Sequence, residues 1–68
     1  IYKTNMSQTF TFVSKGGKTK VVNGPIHWGS NLEWDGMGLG GQMPIDVWCL
    51  VKSYEYEMGG WWKLVKIE

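Results

Sequence analysis

The chain holds one cysteine and one histidine, and six carboxylates accompany them. A Cys–His–acid relay would draw on Cys49, His27 and Asp35. A catalytic thiol needs an exposed, electropositive setting. Cys49 instead lies within Val47-Trp48-Cys49-Leu50-Val51, which reads as a buried strand, where a free Cys is a small apolar filler. His27 belongs to another element, and no spacing links the two. A metal site would draw on His27, Glu33 and Asp35, but no second His or Cys pair supports it. Gly36-Met37-Gly38-Leu39-Gly40-Gly41 has the look of a phosphate-cradling loop. Such loops feed a helix through a Lys-Ser/Thr pair, whereas here Pro44 leads into a strand. The residues therefore imply no enzyme, no metal and no cofactor.

Lys15, Lys18 and Lys20 form a basic cluster beside abundant aromatics, the pairing that binds single-stranded nucleic acid by stacking. A net charge of +1 and the lack of any Arg argue against it. Glu55 and Glu57 would also repel a phosphate backbone. Nucleic acid is thus an unfavoured partner.

The aromatic surplus is the most informative feature: five Trp, three Tyr and two Phe in 68 residues. So small a chain buries only about 60% of its unfolded surface, and one Cys excludes an internal disulfide. Large aromatics and self-association are the devices left to stabilise it. Successive residues of a strand face opposite ways, so Trp61 and Trp62 must point to opposite faces. One is expected in the core, the other outside. Likewise Trp48, Leu50, Tyr54 and Tyr56 share one face of a regular strand, while Val47, Cys49 and Val51 share the other. A bulge near Lys52-Ser53 would swap the sides and leave the tyrosines outside. Both faces are apolar over residues 47–51, more than one core needs, and such surplus marks an interface or a ligand groove.

The elements that must position these residues are strands. Ala, the best helix former, is absent, and Gly or Pro interrupts most windows. Thr9-Phe10-Thr11-Phe12-Val13 and Lys18-Thr19-Lys20-Val21-Val22 alternate about Ser14-Lys15-Gly16-Gly17, which predicts a hairpin. Residues 45–56 and 61–67 form a second, turning at Met58-Gly59-Gly60. Between them, residues 23–44 hold six Gly, two Trp and the His. A third, short hairpin is expected there, with Ile26-His27-Trp28 and Leu32-Glu33-Trp34 flanking Gly29-Ser30-Asn31. The Gly run 36–41 is then a flexible crossover.

Four to six short antiparallel strands in one domain over 1–68 point to a small all-β barrel. Asp46-Val47-Trp48-Cys49-Leu50-Val51, followed by Gly59-Gly60-Trp61-Trp62-Lys63, resembles the central hairpin of SH3 domains. There a strand of type D-hydrophobic-x-hydrophobic precedes a G-W-W-x turn and strand. The likeness spans about a third of the chain and implies an SH3-like barrel. Trp61 takes the place of the first Trp of that pair, which in the family lines a groove for extended, proline-rich peptides. The family's N-terminal tyrosine motif and its C-terminal Pro and Tyr are missing here, so the shape carries over and the peptide specificity does not.

The expected function is a non-enzymatic interaction module that binds a protein or peptide through Trp61, Trp62, Tyr54, Tyr56, Trp48, Trp28 and Trp34. Aromatic anchors of this kind dominate many interfaces. The alternative is a self-assembling subunit, a homo-oligomer or virion component, using its second apolar face and its edge strands. A third reading stacks Trp28, Trp34 and Trp61 on carbohydrate rings, with Asn31, Glu33 and Asp35 bonding hydroxyls. No apolar run reaches the roughly 18 residues of a membrane span, and the polar opening residues give no secretory-leader pattern. The opening Ile leaves two origins open, a natural start at Met6 or processing of a longer chain. One unpaired Cys fits a reducing compartment, with the cytoplasm favoured.

Overall fold

The computed structural model describes residues 8–36 and 41–68. The centre of the glycine-rich crossover, 37–40, and the N-terminal segment containing Met6 lie outside the described residues. The described part is all-β and holds five strands: β1 (Thr9–Ser14), β2 (Thr19–Asn23), β3 (Glu33–Asp35), β4 (Trp48–Ser53) and β5 (Met58–Ile67). They form one open sheet in the order β2-β1-β5-β4-β3, and every neighbouring pair is antiparallel. Among the described residues no helix is long and apolar enough to cross a membrane.

The first hairpin forms where the alternation places it. Phe10 and Phe12 face inward opposite Val22 and Lys20. The turn closes through the Ser14 N–H to the Lys18 carbonyl at 2.8 Å and the Gly17 N–H to the Ser14 carbonyl at 3.0 Å. Gly17 adopts φ 90°, a left-handed conformation that a Cβ would oppose.

β5 is the organising strand, long enough to serve two partners. Its first part, Met58 to Lys63, pairs with β4; its later part, Trp62 to Ile67, pairs with β1. Thr11 pairs with Lys66 and Phe12 with Leu64, so Val65 has no residue opposite it. This bulge resets the alternation, and Ile67 returns to the core side beside Phe10. A bulge near Lys52-Ser53, which would have swapped the faces of β4, does not form, and β4 pairs regularly through Ser53.

The core gathers Phe10, Phe12, Val22, Cys49, Val51, Met58, Trp62 and Leu64 from the strands, with Ile26, Leu32 and Met43 from the connections. Fully burying an aliphatic or Phe side chain contributes about 1.5–3 kcal/mol, so this inner face is the main source of stability.

Two expected turns are corrected. The second hairpin turns at residues 54–57, not at Met58-Gly59-Gly60: Ser53 pairs with Met58, Lys52 with Gly59 and Val51 with Gly60. A four-residue loop closed by Glu57 at φ 56° meets the twist requirement, leaving both glycines inside β5. The strand expected over 45–56 accordingly shortens to Trp48–Ser53. Ile45 makes only an isolated parallel bridge to Leu64, and Asp46 turns the chain at φ 65°. Nor does a third hairpin form over 26–34. The His27 carbonyl accepts from the N–H groups of Ser30, Asn31 and Leu32 at 3.2, 2.8 and 3.3 Å, which winds this segment into a compact turn. Glu33, Trp34 and Asp35 spend their ladder on β4 instead.

Candidate functional site

The tandem tryptophans divide as adjacent strand residues must. Trp62 is 6% exposed in the core, where its Nε1–H donates to the Gly59 carbonyl at 3.2 Å, and Trp61 stands 45% exposed on the outer face. The register set by the 54–57 turn places Leu50 opposite Trp61 and Trp48 opposite Lys63. Trp48 and Leu50 thus share the outer face with Trp61, and Cys49 and Val51 point inward.

Lysines complete this surface. The Lys15 backbone N–H donates to the Trp61 carbonyl at 3.1 Å, carrying the β1–β5 pairing one step past Ser14. From there the Lys15 ammonium reaches both rings, 5.0 Å from the centre of Trp61 and 5.4 Å from that of Trp48. The Lys63 ammonium lies 4.8 Å from the Trp48 ring centre. Separations under about 6 Å are cation–π contacts, worth roughly 0.5–1 kcal/mol when exposed. Beside Trp61 a groove of about 550 Å³ runs between the β1–β2 hairpin and the start of β5, lined by Lys15, Lys18, Lys20, Glu57, Gly59 and Trp61. A second hollow of about 580 Å³ shares Glu57 and Gly59 and opens toward Leu50, Tyr54 and Met58.

The chain matches no protein-family model, no curated protein and no solved structure. Function is read from this geometry alone.

The other expected binding residues lie elsewhere. Trp28 packs edge-on against Phe10, ring centres 5.8 Å apart at 79°, and is partly buried against the core. Trp34 faces inward opposite Val51, and its Nε1–H donates to the Gly41 carbonyl at 2.6 Å. Both therefore sit away from Trp61, and no three-Trp stacking platform forms. Tyr54 and Tyr56 belong to the turn and not to a strand. Tyr54 is 98% exposed, whereas Tyr56 packs against the core, where burial and then the Glu55 carboxylate push its phenol pKa up.

The turn carrying them is tied to the 27–32 turn. The Ser53 hydroxyl, buried, donates to the Asn31 carbonyl at 2.9 Å and accepts from the Tyr56 N–H at 3.3 Å. The Asn31 side-chain amide also donates to the Glu55 carboxylate. Cys49 is fully buried on the inner face, and burial pushes its thiol pKa up, the opposite of an activated nucleophile. Among the described residues no three His, Cys, Asp or Glu side chains converge as a metal site would require.

Sequence reading missed Lys63 and set Lys15 beside aromatics without assigning it to Trp61 and Trp48. Their signal was cross-strand register, which becomes legible only once the second turn is placed at 54–57.

Proposed function

We propose that this chain is a non-enzymatic interaction module whose outer sheet face, centred on Trp61 with Trp48 and Leu50, binds a protein or peptide partner. The observation that carries the reading is the exposure of Trp61 in mid-sheet while its neighbour Trp62 fills the core. An indole left in water beside Leu50, with the Lys15 ammonium over its ring, is an aromatic anchor of the kind that dominates many interfaces. The same reading extends to an SH3-like barrel. It is supported by the edge strands β2 and β3 being consecutive in the chain, and by a long β5 shared between two partner strands.

The test is panning of the immobilised chain against a random linear-peptide library, with Trp61→Ala as the parallel target. Peptides that bind the parent and lose at least about tenfold in affinity on Trp61→Ala, a loss of about 1.4 kcal/mol, support the reading. Peptides that bind both equally, or no enrichment at all, overturn it.

A second reading, self-assembly, is favoured by the edge strand β2, where Val21 is 56% exposed. Light scattering over a concentration series separates the two: a persistent oligomer supports self-assembly, and a monomer supports the binding module.

A further inference from the structure

Lys15, Lys18 and Lys20 leave the β1–β2 hairpin toward one groove, which faces a stretch of β5 that β1 does not cover. The β1 ladder stops at Ser14 opposite Trp62, followed by the single Lys15 to Trp61 bond. Gly59 and Gly60 pair with β4 on one side and, among the described residues, have no strand on the other. A Cβ built on either glycine would meet nothing within 4 Å. Glycines inside a strand often mark a place where another backbone approaches closely. Here Gly59 leaves the floor of the groove at backbone level, with Trp61 as one wall and Lys15, Lys18 and Lys20 among its lining residues.

Charge selects the occupant. Among the described residues the one ion pair joins Lys66 to Glu68, and none of Lys15, Lys18 and Lys20 is paired with a carboxylate there. Glu57 is the single acid lining the groove.

We propose that this groove binds an extended, acidic peptide segment, its backbone against Gly59, its carboxylates toward Lys15, Lys18 and Lys20, and an apolar side chain on Trp61. This rests on the binding-module reading and specifies its partner. A nucleic-acid strand fits less well. Its phosphates are continuous along the path and would meet Glu57, and the chain offers no Arg for bidentate phosphate contact. A peptide can place its carboxylates away from Glu57.

The experiment uses fluorescence anisotropy with three labelled probes: a decapeptide of Glu, Asp and Leu, its counterpart with Lys in place of the acids, and oligo-dT of equal length. Each is titrated against the parent chain, against the Lys18→Glu/Lys20→Glu variant and against the milder Lys18→Gln/Lys20→Gln variant. Thermal melts confirm that each variant folds. The acidic peptide is expected to bind the parent, to weaken as salt rises, and to lose at least about tenfold in affinity in the charge-reversed variant, less in the Gln variant. Tighter binding of oligo-dT than of the acidic peptide overturns the assignment in favour of nucleic acid. Acidic-peptide binding indifferent to both lysine variants, or absent, also overturns it. If panning still yields Trp61-dependent peptides that carry no acids, the binding module stands and only its acidic partner falls.

Discussion

Trp61 and Trp62 are neighbours in β5, yet one is 45% exposed over the outer face and the other 6% exposed within the core. Their substitutions should therefore separate cleanly. Trp62→Ala removes a core aromatic, a loss of about 3–5 kcal/mol, comparable to the whole stability of a domain this small. Trp62→Phe keeps part of the volume and should fold with a lowered midpoint. Trp61→Ala should stay within about 1 kcal/mol of the parent. Urea denaturation followed by far-UV circular dichroism measures all three, and equal costs at the two positions would refute the face assignment.

Ser53 joins two turns through one buried hydroxyl, donating to the Asn31 carbonyl and accepting from the Tyr56 N–H. Ser53→Ala leaves both groups without that partner and should cost about 1–3 kcal/mol. Hydrogen exchange should accelerate at Tyr56. Removing the exposed Asn31 to Glu55 bond by Glu55→Ala should change stability by less than about 1 kcal/mol.

Glu57 holds a left-handed conformation, φ 56°, in the turn between β4 and β5. That region costs a residue with a Cβ about 1–2 kcal/mol. Glycine pays no such steric cost but has more freedom to lose on folding. The expected net result of Glu57→Gly is a stabilisation of about 0.5–1 kcal/mol, read as a raised thermal midpoint. A lowered midpoint would show that the Glu57 side chain contributes more than its backbone strain removes.

Cys49 has its thiol pKa raised by burial. Its contribution is fully present below the unfolded thiol value of about 8.5. Above that pH the unfolded chain deprotonates first, and stability falls until the folded-state pKa is passed. Cys49→Ala should flatten this part of the stability–pH curve relative to the parent, at the cost of a small cavity. Thiol reagents near neutral pH should react with the native chain far more slowly than with the urea-unfolded chain. Rapid native labelling would contradict the burial.

What this sequence determined by itself is what neighbours along the chain dictate. Alternation of Phe and Thr over 9–13 and of Lys with Thr and Val over 18–21 specified the first hairpin, because period two can satisfy only a strand with one buried face. The Trp61-Trp62 pair likewise had to split across the sheet. The opposition of Trp48 and Leu50 to Cys49 and Val51 followed from the same rule.

Tertiary structure decided everything that hangs on register. Gly59 and Gly60 look like a turn in isolation, but the ladder from Ser53–Met58 to Trp48–Lys63 draws them into β5 and moves the turn to 54–57. That shift took Tyr54 and Tyr56 out of the strand and set Lys63 opposite Trp48. The bulge at Val65, which returns Ile67 to the core, exists only because β5 must pair with β1 as well as β4. Trp34 read as a ligand platform until pairing with Val51 turned it inward. The basic groove beside Trp61 joins residues some forty positions apart. Only strand pairing between β1 and β5 brings them together, because the energy that selects a register comes from burying both strands' apolar faces at once.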